Sequence, residues 1–446
     1  MIPVLILLAA AQAGALASES SSSDLALGGA QFVELMVQGD FAAAYAQFDP
    51  TMKSVLPEEK LRSIWQALQE QAGPFRARLQ TRVEKQRGYG VVFVTCQFER
   101  TTLDAKVVFD AERRIAGLFF VPSRPAASSF PPPPYARADA YRENDFTVGS
   151  GEWSLPGTLT RSVGVTTPVP AVVLVHGSGP SDRDETVLAN KPFRDLAWGL
   201  ATRGIAVLRY EKRTKEYAAK IAAAGISNLT VKEETIDDAL RAVAQLRATA
   251  GIDPKRIFVL GHSLGGMLAP RIAQADPDLA GLIILEGATM RPLEDLMVEQ
   301  TRYLISFSVP PSEKAQAKLN AIIEEAAKVK QLTAADASTS TLLLGAPPKY
   351  WLDLREHDSL AAAKTLTQPL LIIQGGRDYQ VTEADFNDWK KALGSRAGVI
   401  FKLYPELNHL LVAGQGKSTP SEYELPGHVD ERVIADITNW ILNASR

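Results

Sequence analysis

The chain has 446 residues, with 48 lysines and arginines against 51 aspartates and glutamates, for a formal net charge of -3 at pH 7. Hydrophobic residues make up 46% and charged residues 22%, which is the balance of an ordinary globular protein with enough chain for more than one core. This near-neutral charge argues against nucleic acid as a partner and against an electrostatic membrane anchor.

The first 17 residues have the composition of an export signal. An apolar run ends in Ala15-Leu16-Ala17, the small-x-small pattern that signal peptidase reads, although the segment lacks the usual Lys or Arg at its start. The run is shorter than the ~20 residues that a spanning helix needs, so no stable membrane anchor is expected. We predict a cleaved signal peptide over residues 1–17 and an exported protein, either periplasmic or secreted.

Residues 24–121 form the first predicted domain. Up to about residue 71 apolar residues recur at helical spacing, as at Leu61, Trp65 and Leu68; beyond about residue 77 they alternate in short β-rich runs. Helices followed by a meander of strands predict a small α+β domain without a catalytic constellation. Cys96, the single cysteine, lies in one of these runs and is expected to fill the core, and it excludes an internal disulfide.

A linker and a larger domain follow. Residues 122–141 are rich in Pro, Ala and Ser, including the consecutive prolines 131–134, which favours an extended connection. From 142 to 446 apolar strand-like runs alternate with amphipathic helical segments, which predicts a mostly parallel sheet flanked by helices. At about 291–365 helical segments occur without a strand between them, so a helical cap over the carboxyl edge of the sheet is expected.

The sequence at residues 261–265 matches G-x-S-x-G and lies between an apolar strand run and a helical segment. This setting matters because the strained turn presents the hydroxyl of Ser263, and the flanking glycines let strand and helix approach closely. We therefore predict Ser263 as a nucleophile. The alternative is a glycine-rich turn whose hydroxyl only caps the helix.

The acid and base of a triad are predicted at the ends of two later strands. Asp378 follows an apolar run, where a carboxylate can reach an imidazole and hold its tautomer; the alternative is a turn-capping aspartate, and Glu286 is the reserve acid. His409 follows the next strand and precedes the last helix, with His428 as the reserve base. The chain order Ser263, Asp378, His409 is the order of Ser, acid and His in α/β-hydrolases.

A predicted oxyanion hole completes the set. His176-Gly177-Ser178-Gly179 follows an apolar strand, and the backbone amides of Ser178 and Leu264 are the expected donors, each worth roughly 3 kcal/mol of barrier. The alternative, a dinucleotide-binding loop, lacks the third glycine of G-x-G-x-x-G.

A charged run and an aromatic pair in the sequence each have two possible interpretations. The charged run at residues 182–185 is either a solvated or ion-paired loop, or a network that fixes the geometry of the oxyanion loop. Tyr350 and Trp351 are adjacent aromatics in the predicted cap, and they either line an acyl or alcohol pocket or pin the cap to the sheet.

Together these motifs resemble the α/β-hydrolase superfamily over residues 142–446. The run His-Gly-Ser-Gly-Pro-Ser-Asp-Arg-Asp-Glu at 176–185 and the N-terminal helix-then-strands domain resemble bacterial esterase-type hydrolases that carry a DUF3887-type domain of unknown function. The resemblance implies the α/β-hydrolase fold and an exported carboxylesterase. The segment from Gly414 to Pro426 departs from it, because it is richer in Gly, Pro and Ser than a minimal hydrolase requires.

The expected reaction is hydrolysis of a small-molecule carboxylic ester through an acyl-enzyme, with no metal and no organic cofactor. The same machinery serves aminopeptidase-like serine peptidases, thioesterases and acyltransferases. An α-amine-binding acidic pair in the cap would favour the peptidase, and the available acids are Glu294, Asp295, Glu299, Glu324 and Glu325. A different alternative is a binding or scaffold module with an inert hydrolase domain. No feature of the sequence indicates an oligomeric state.

Overall fold

The structure is a computed structural model that describes residues 22–86, 89–123, 130–225, 228–289, 291–307 and 310–444. The predicted signal peptide lies outside these residues, as does the stretch 124–129 of the predicted linker. The chain divides into two compact units, Met1–Phe130 and Pro131–Arg446.

The described part of the first unit consists of helices followed by an antiparallel sheet. Its helices are α1 (Ser22–Gln38), α2 (Phe41–Ala46), α3 (Pro50–Val55) and α4 (Glu58–Ala72). Its strands pair in chain order and are β1 (Phe75–Gln86), β2 (Tyr89–Phe98), β3 (Thr102–Phe109) and β4 (Ile115–Pro122).

The core of this unit joins α4 to the sheet. Leu61 and Trp65 are buried on α4 in the same apolar cluster as Cys96 on β2. Burial raises the pKa of the Cys96 thiol to about 12, so it is an inert apolar filler, as predicted.

The second unit contains a sheet of eight strands. They are β5 (Tyr141–Val148), β6 (Leu155–Ser162), β7 (Val169–Val175), β8 (Ala206–Tyr210), β9 (Ile252–His262), β10 (Gly281–Leu285), β11 (Leu370–Gly375) and β12 (Val399–Tyr404). Their spatial order is β12-β11-β10-β9-β7-β8-β6-β5. The pairings of β6 with β5 and β8 are antiparallel and the rest are parallel.

Helices alternate with these strands. They are α5 (Pro192–Ala201), α6 (Arg213–Glu216), α7 (Ala218–Ala224), α8 (Asp237–Arg247), α9 (Leu264–Ala275), α10 (Leu293–Ile305), α11 (Glu313–Gln331), α12 (Pro348–Arg355), α13 (Ser359–Thr365), α14 (Glu383–Leu393) and α15 (Glu431–Asn443). A π-helical turn, Lys232–Ile236, leads into α8. Helices α10 to α13 lie between β10 and β11, in the interval where the sequence predicts a cap. Among the described residues, no helix is both long and apolar enough to cross a bilayer.

The two faces of the sheet have separate cores, which explains the continuous apolar runs in the sequence. Along β7, Val173 packs with α8 and α9 on one face, and Val172 and Leu174 pack with α5 and α15 on the other. Strands covered on both faces are apolar at every position rather than at every second one. The predicted fold class, a mostly parallel sheet between helices after a small α+β domain, is confirmed.

Candidate active site

Ser263 lies between β9 and α9 in a backbone conformation that residues with a side chain rarely adopt, with φ 54 and ψ -116. Glycines make this turn possible. A Cβ on Gly261 would lie 2.2 Å from the carbonyl oxygen of Gly265, and one on Gly265 would lie 2.3 Å from that of Val175. Such a strained residue costs about 1–3 kcal/mol and is typical of functional sites. The turn has the strand-turn-helix geometry that the G-x-S-x-G motif predicts.

His409 and Asp378 form a buried hydrogen-bonded pair. Nδ1 of His409 lies 2.6 Å from Oδ2 of Asp378, and their side chains are 6% and 0% exposed. The other oxygen, Oδ1, accepts the backbone N–H groups of Gln380 at 2.7 Å and Val381 at 3.1 Å. Asp378 is therefore fixed in place, and Nε2 of His409 is the ring nitrogen left to exchange a proton with a substrate or nucleophile.

The loop after β7 packs against Ser263. A Cβ on Gly177 would lie 3.1 Å from Cβ of Ser263. The Gly177 N–H donates to Oε1 of Glu185 at 2.6 Å, so the next amide along the chain, that of Ser178, is the candidate donor from this loop. The amide of Leu264 is the first of α9 and has no intrahelical acceptor. These are the two amides that the sequence predicts as oxyanion-hole donors, and that role stays a prediction.

Glu286 lies beside the acid of the proposed triad. It is fully buried, has φ 50, and accepts the Gly375 N–H through Oε1 at 2.6 Å. Burial raises the pKa of Glu286 well above its ordinary value, and the charge of Asp378 and a hydrogen bond with it raise that pKa further. Both effects favour the protonated form of Glu286. The reserve acid supports Asp378, which is the residue in contact with His409.

Within the described residues, Glu286, Asp378 and His409 are the set whose ligand atoms converge closely enough to hold a metal, all within 4.8 Å of one another. A cation requires deprotonated ligands, whereas the raised pKa of Glu286 favours its protonated form and Nδ1 of His409 is hydrogen-bonded to Asp378. These contacts fit a proton-transfer site better than a metal site.

An ion pair next to Ser263 connects the loop after β7 with the segment that contains His409. Nδ1 of His262 lies 2.9 Å from Oε2 of Glu185, and Nε2 of His262 lies 2.9 Å from the carbonyl oxygen of His409. The rings of His262 and His409 have centroids 4.7 Å apart. Burial alone would lower the pKa of His262, but the charge of Glu185 and its hydrogen bond raise it above the ordinary value. Burial opposes ionisation of Glu185, yet the positive charge of His262 lowers the pKa of that carboxyl.

The rest of the charged run is ion-paired or hydrogen-bonded, with Asp184 buried and Asp182 and Arg183 partly exposed. Asp184 is 4% exposed and accepts from the buried guanidinium of Arg209, with Lys191 at 3.3 Å. Arg183 donates to Glu211 at 2.7 Å. The structure thus favours the network reading of this segment, and Glu185 is the member that reaches the oxyanion loop.

The aromatic pair in the cap is buried and hydrogen-bonded. Tyr350 is 7% exposed and donates to Oε2 of Glu234 at 3.0 Å; Trp351 is 3% exposed and donates from Nε1 to the carbonyl of Leu343 at 2.8 Å. Both pack in the core that contains Leu264. This placement favours the anchoring role, and a pocket-lining role for the pair stays a prediction.

A cleft of about 400 Å³ lies between α10 of the cap and the loop after β11 that contains Asp378. Tyr303 of α10 stacks on Tyr379, with ring centroids 4.9 Å apart and planes 5° apart, and its hydroxyl donates to the carbonyl of Ser418 at 2.9 Å. Asp378 also lines this cleft. Sequence reasoning missed Tyr303 and Tyr379, since a tyrosine carries no local signal for a partner distant in the chain.

His428, the reserve base, lies elsewhere. Its Nδ1 is 3.0 Å from Oδ1 of Asp195 on α5. The buried partner of Asp378 is His409 instead.

Comparisons with known proteins agree with this organisation. Residues 29–118 match the family model described as "Protein of unknown function (DUF3887)", and residues 166–415 match "Serine aminopeptidase, S33". Esterase EstD of Thermotoga maritima is 40% identical over 411 residues, which is 92% of this chain and 94% of the relative.

Two solved structures have a lower similarity. A "Bacterial Heroin Esterase" is 17% identical over 72% of this chain and 88% of its own, with a TM-score of 0.45. The Pyrococcus horikoshii acylaminoacyl peptidase is 13% identical over 83% of this chain and 50% of its own, with a TM-score of 0.43.

Proposed function

We propose that Ser263, His409 and Asp378 are the catalytic triad of this chain, which belongs to the α/β-hydrolase family described as "Serine aminopeptidase, S33". The chain is a serine hydrolase of carboxylic esters, given its 40% identity to an esterase over 92% of its length. The observation that supports the triad is the buried 2.6 Å contact between His409 and Asp378. His262, the residue before Ser263 in its strained turn, contacts the carbonyl oxygen of His409 at 2.9 Å.

The reaction begins with attack of Oγ of Ser263 on the ester carbonyl carbon while Nε2 of His409 takes the hydroxyl proton. The carbonyl oxygen becomes an oxyanion that accepts from the amides of Ser178 and Leu264. Collapse of the tetrahedral intermediate breaks the ester C–O bond, and His409 gives its proton to the leaving alcohol. Water, deprotonated by His409, then releases the acid and restores Ser263.

Three of the five acids that a peptidase could use in the cap already have partners. Asp295 pairs with Lys330 at 2.5 Å, Glu299 pairs with Arg291, and Glu325 accepts the Leu344 N–H. Groups that bind a substrate α-amine must be available to it, so this pairing favours the ester over the aminoacyl substrate.

Activity assays test this proposal directly. Purified protein is assayed with p-nitrophenyl esters from acetate to palmitate and, in parallel, with aminoacyl p-nitroanilides. We expect ester turnover that Ser263→Ala abolishes, whereas Ser178→Ala, which keeps the backbone amide, retains it. Dominant anilide cleavage would move the chain to the peptidases, and turnover that survives in Ser263→Ala would exclude Ser263 as nucleophile.

Export is proposed on the sequence alone. The apolar run that ends at Ala17 supports cleavage there by signal peptidase. Amino-terminal sequencing of protein from the periplasmic and extracellular fractions tests this, and an intact Met1 in a protein that stays in the cytoplasm would refute it.

A further inference from the structure

Lys212 is a buried cation that the mechanism above does not use. It follows β8, and its side chain is 2% exposed. Burial of an ammonium costs several kcal/mol unless the charge is paired and hydrogen-bonded. Here Nζ donates to the carbonyl oxygen of Gly177 at 2.7 Å and lies 3.4 Å from Oε2 of Glu234. The question is what this buried charge contributes at Gly177.

The carbonyl that Lys212 contacts belongs to the same peptide unit as the Ser178 amide. A peptide unit is planar and trans, so its C=O and N–H point in opposite directions. Fixing the carbonyl oxygen of Gly177 therefore fixes the direction of the Ser178 N–H. A cation on the carbonyl oxygen also polarises the unit and strengthens its N–H as a donor.

The same glycine is held at its other polar atom. Its N–H donates to the buried Glu185 at 2.6 Å, and Glu185 in turn pairs with His262, the neighbour of Ser263. Charged side chains thus hold both polar groups of Gly177. An ordinary surface turn is stabilised by its own backbone and by water, so this arrangement indicates a peptide whose orientation matters.

Lys212 is also connected to the cap. Glu234, in the π-helical turn before α8, accepts from the Tyr350 hydroxyl at 3.0 Å and from the Thr214 hydroxyl at 2.7 Å. Tyr350 belongs to α12 of the cap. The contacts therefore run from the cap through Glu234 and Lys212 to the oxyanion peptide.

We propose that Lys212 is a positioning residue for the oxyanion hole, aligning and polarising the Gly177–Ser178 peptide under the control of Glu234 and Tyr350. The inference rests on the proposed ester hydrolysis at Ser263. The alignment matters most when charge develops on the carbonyl oxygen, so its loss lowers kcat more than it raises KM. Complete removal of an oxyanion donor costs roughly 10²- to 10³-fold in kcat, and we expect misalignment to cost on the order of tenfold or more.

The test compares Lys212→Met, which keeps the length of the side chain without its charge, with Lys330→Met, which removes an exposed lysine of the cap. The assay is p-nitrophenyl ester hydrolysis, together with inhibition by phenylboronic acid, which bonds to the nucleophilic serine as a tetrahedral adduct. We expect Lys212→Met to lower kcat about tenfold or more with little change in KM. The affinity of the variant for phenylboronic acid should fall by a similar factor. Lys330→Met should match the wild type in all three quantities.

An unchanged kcat in folded Lys212→Met, or a change confined to KM, would overturn the inference. If Lys212→Met does not fold, Tyr350→Phe decides: it removes one hydroxyl from the Glu234 contact, and kcat and boronic acid affinity should each fall by up to about fivefold. Values equal to the wild type in that variant would overturn it. Failure of the proposed function is a separate result, because the wild-type protein would then hydrolyse no ester.

Discussion

Glu286 and Asp378 place two buried carboxyl groups together next to His409, with the ligand atoms of all three within 4.8 Å of one another. Asp378 contacts the imidazole, and Glu286 is held by the Gly375 amide at 2.6 Å. Burial and the neighbouring charge raise the pKa of Glu286, which favours its protonated form beside Asp378. Their roles are therefore distinct, although both are acids at strand ends.

Substitution of each acid by its amide separates these roles. Asp378→Asn is expected to lower kcat on the order of 10⁴-fold, since it loses the charge that holds the imidazole tautomer. In Glu286→Gln the amide can donate to Asp378 and accept from Gly375, as the protonated acid does, so kcat should stay within about tenfold of the wild type. Steady-state kinetics on one ester measures both. A loss of several hundredfold in Glu286→Gln would mean that Glu286 acts as an ionised acid.

Unfolding free energies report the proton on Glu286. Its folded pKa is raised above 4.5, so folding takes up a proton, and the stability due to the protonated form is complete below pH 4.5 and is lost as pH rises towards the folded pKa. The glutamine of Glu286→Gln does not titrate. The free energy of unfolding of the variant should therefore rise relative to that of the wild type by up to about 1.4 kcal/mol per pH unit in that window. Urea unfolding of both proteins at pH 5, 6 and 7 measures the difference. A difference independent of pH would contradict protonation of Glu286.

The His262–Glu185 pair predicts a second pH dependence. Glu185→Gln leaves the buried imidazole without its counter-charge, and loss of one partner of a buried pair costs about 3–5 kcal/mol. The folded pKa of His262 is raised above 6.5, so the contribution of the pair is complete below pH 6.5 and is lost as pH rises through the folded value. On the acid side, the pKa of the Glu185 carboxyl is lowered below 4.5. The stability that the pair contributes is therefore lost only as pH falls through this lowered pKa.

Urea unfolding at pH 6 and pH 9 checks this. The stability advantage of the wild type over Glu185→Gln should be large at pH 6 and smaller at pH 9. An advantage that grows with pH would show that His262 is neutral in the folded protein.

Gly261, in the turn at Ser263, and Gly28, in α1, are expected to respond differently to substitution by alanine. Gly261→Ala places a Cβ 2.2 Å from a backbone oxygen that cannot move aside, so the variant should fail to give soluble, folded protein. Gly28→Ala, in α1, meets only the ring of Phe109 at 3.5 Å and should be neutral or stabilising by up to about 1 kcal/mol. Soluble yield and thermal unfolding distinguish them. A folded, active Gly261→Ala would contradict the close packing at the turn.

Much of this organisation could be predicted from the sequence because it is local. Ser263, Asp378 and His409 each follow an apolar strand, and the carboxyl ends of parallel strands meet at one edge of a sheet. The α+β domain and the cap were predictable for the same reason, since their periodicities are visible within short windows.

The supporting contacts were not predictable in this way. Lys212 meets Gly177 across 35 residues, and a lysine after a strand has no pattern that distinguishes it from a solvated one. Tyr350 is recognisable in the sequence as an aromatic residue of the cap, but its hydroxyl donates to Glu234 across 116 residues, a pairing that only the fold brings about. The protonation of Glu286 depends on burial, which no local motif encodes.

The most direct test of the proposed triad is labelling with a fluorophosphonate, followed by peptide mass spectrometry and an ester assay on the same sample. We predict one adduct, on Ser263, with hydrolysis lost in proportion to labelling and no adduct in Ser263→Ala. An adduct on another residue, or hydrolysis that persists in fully labelled protein, would contradict the assignment of Ser263 as the nucleophile.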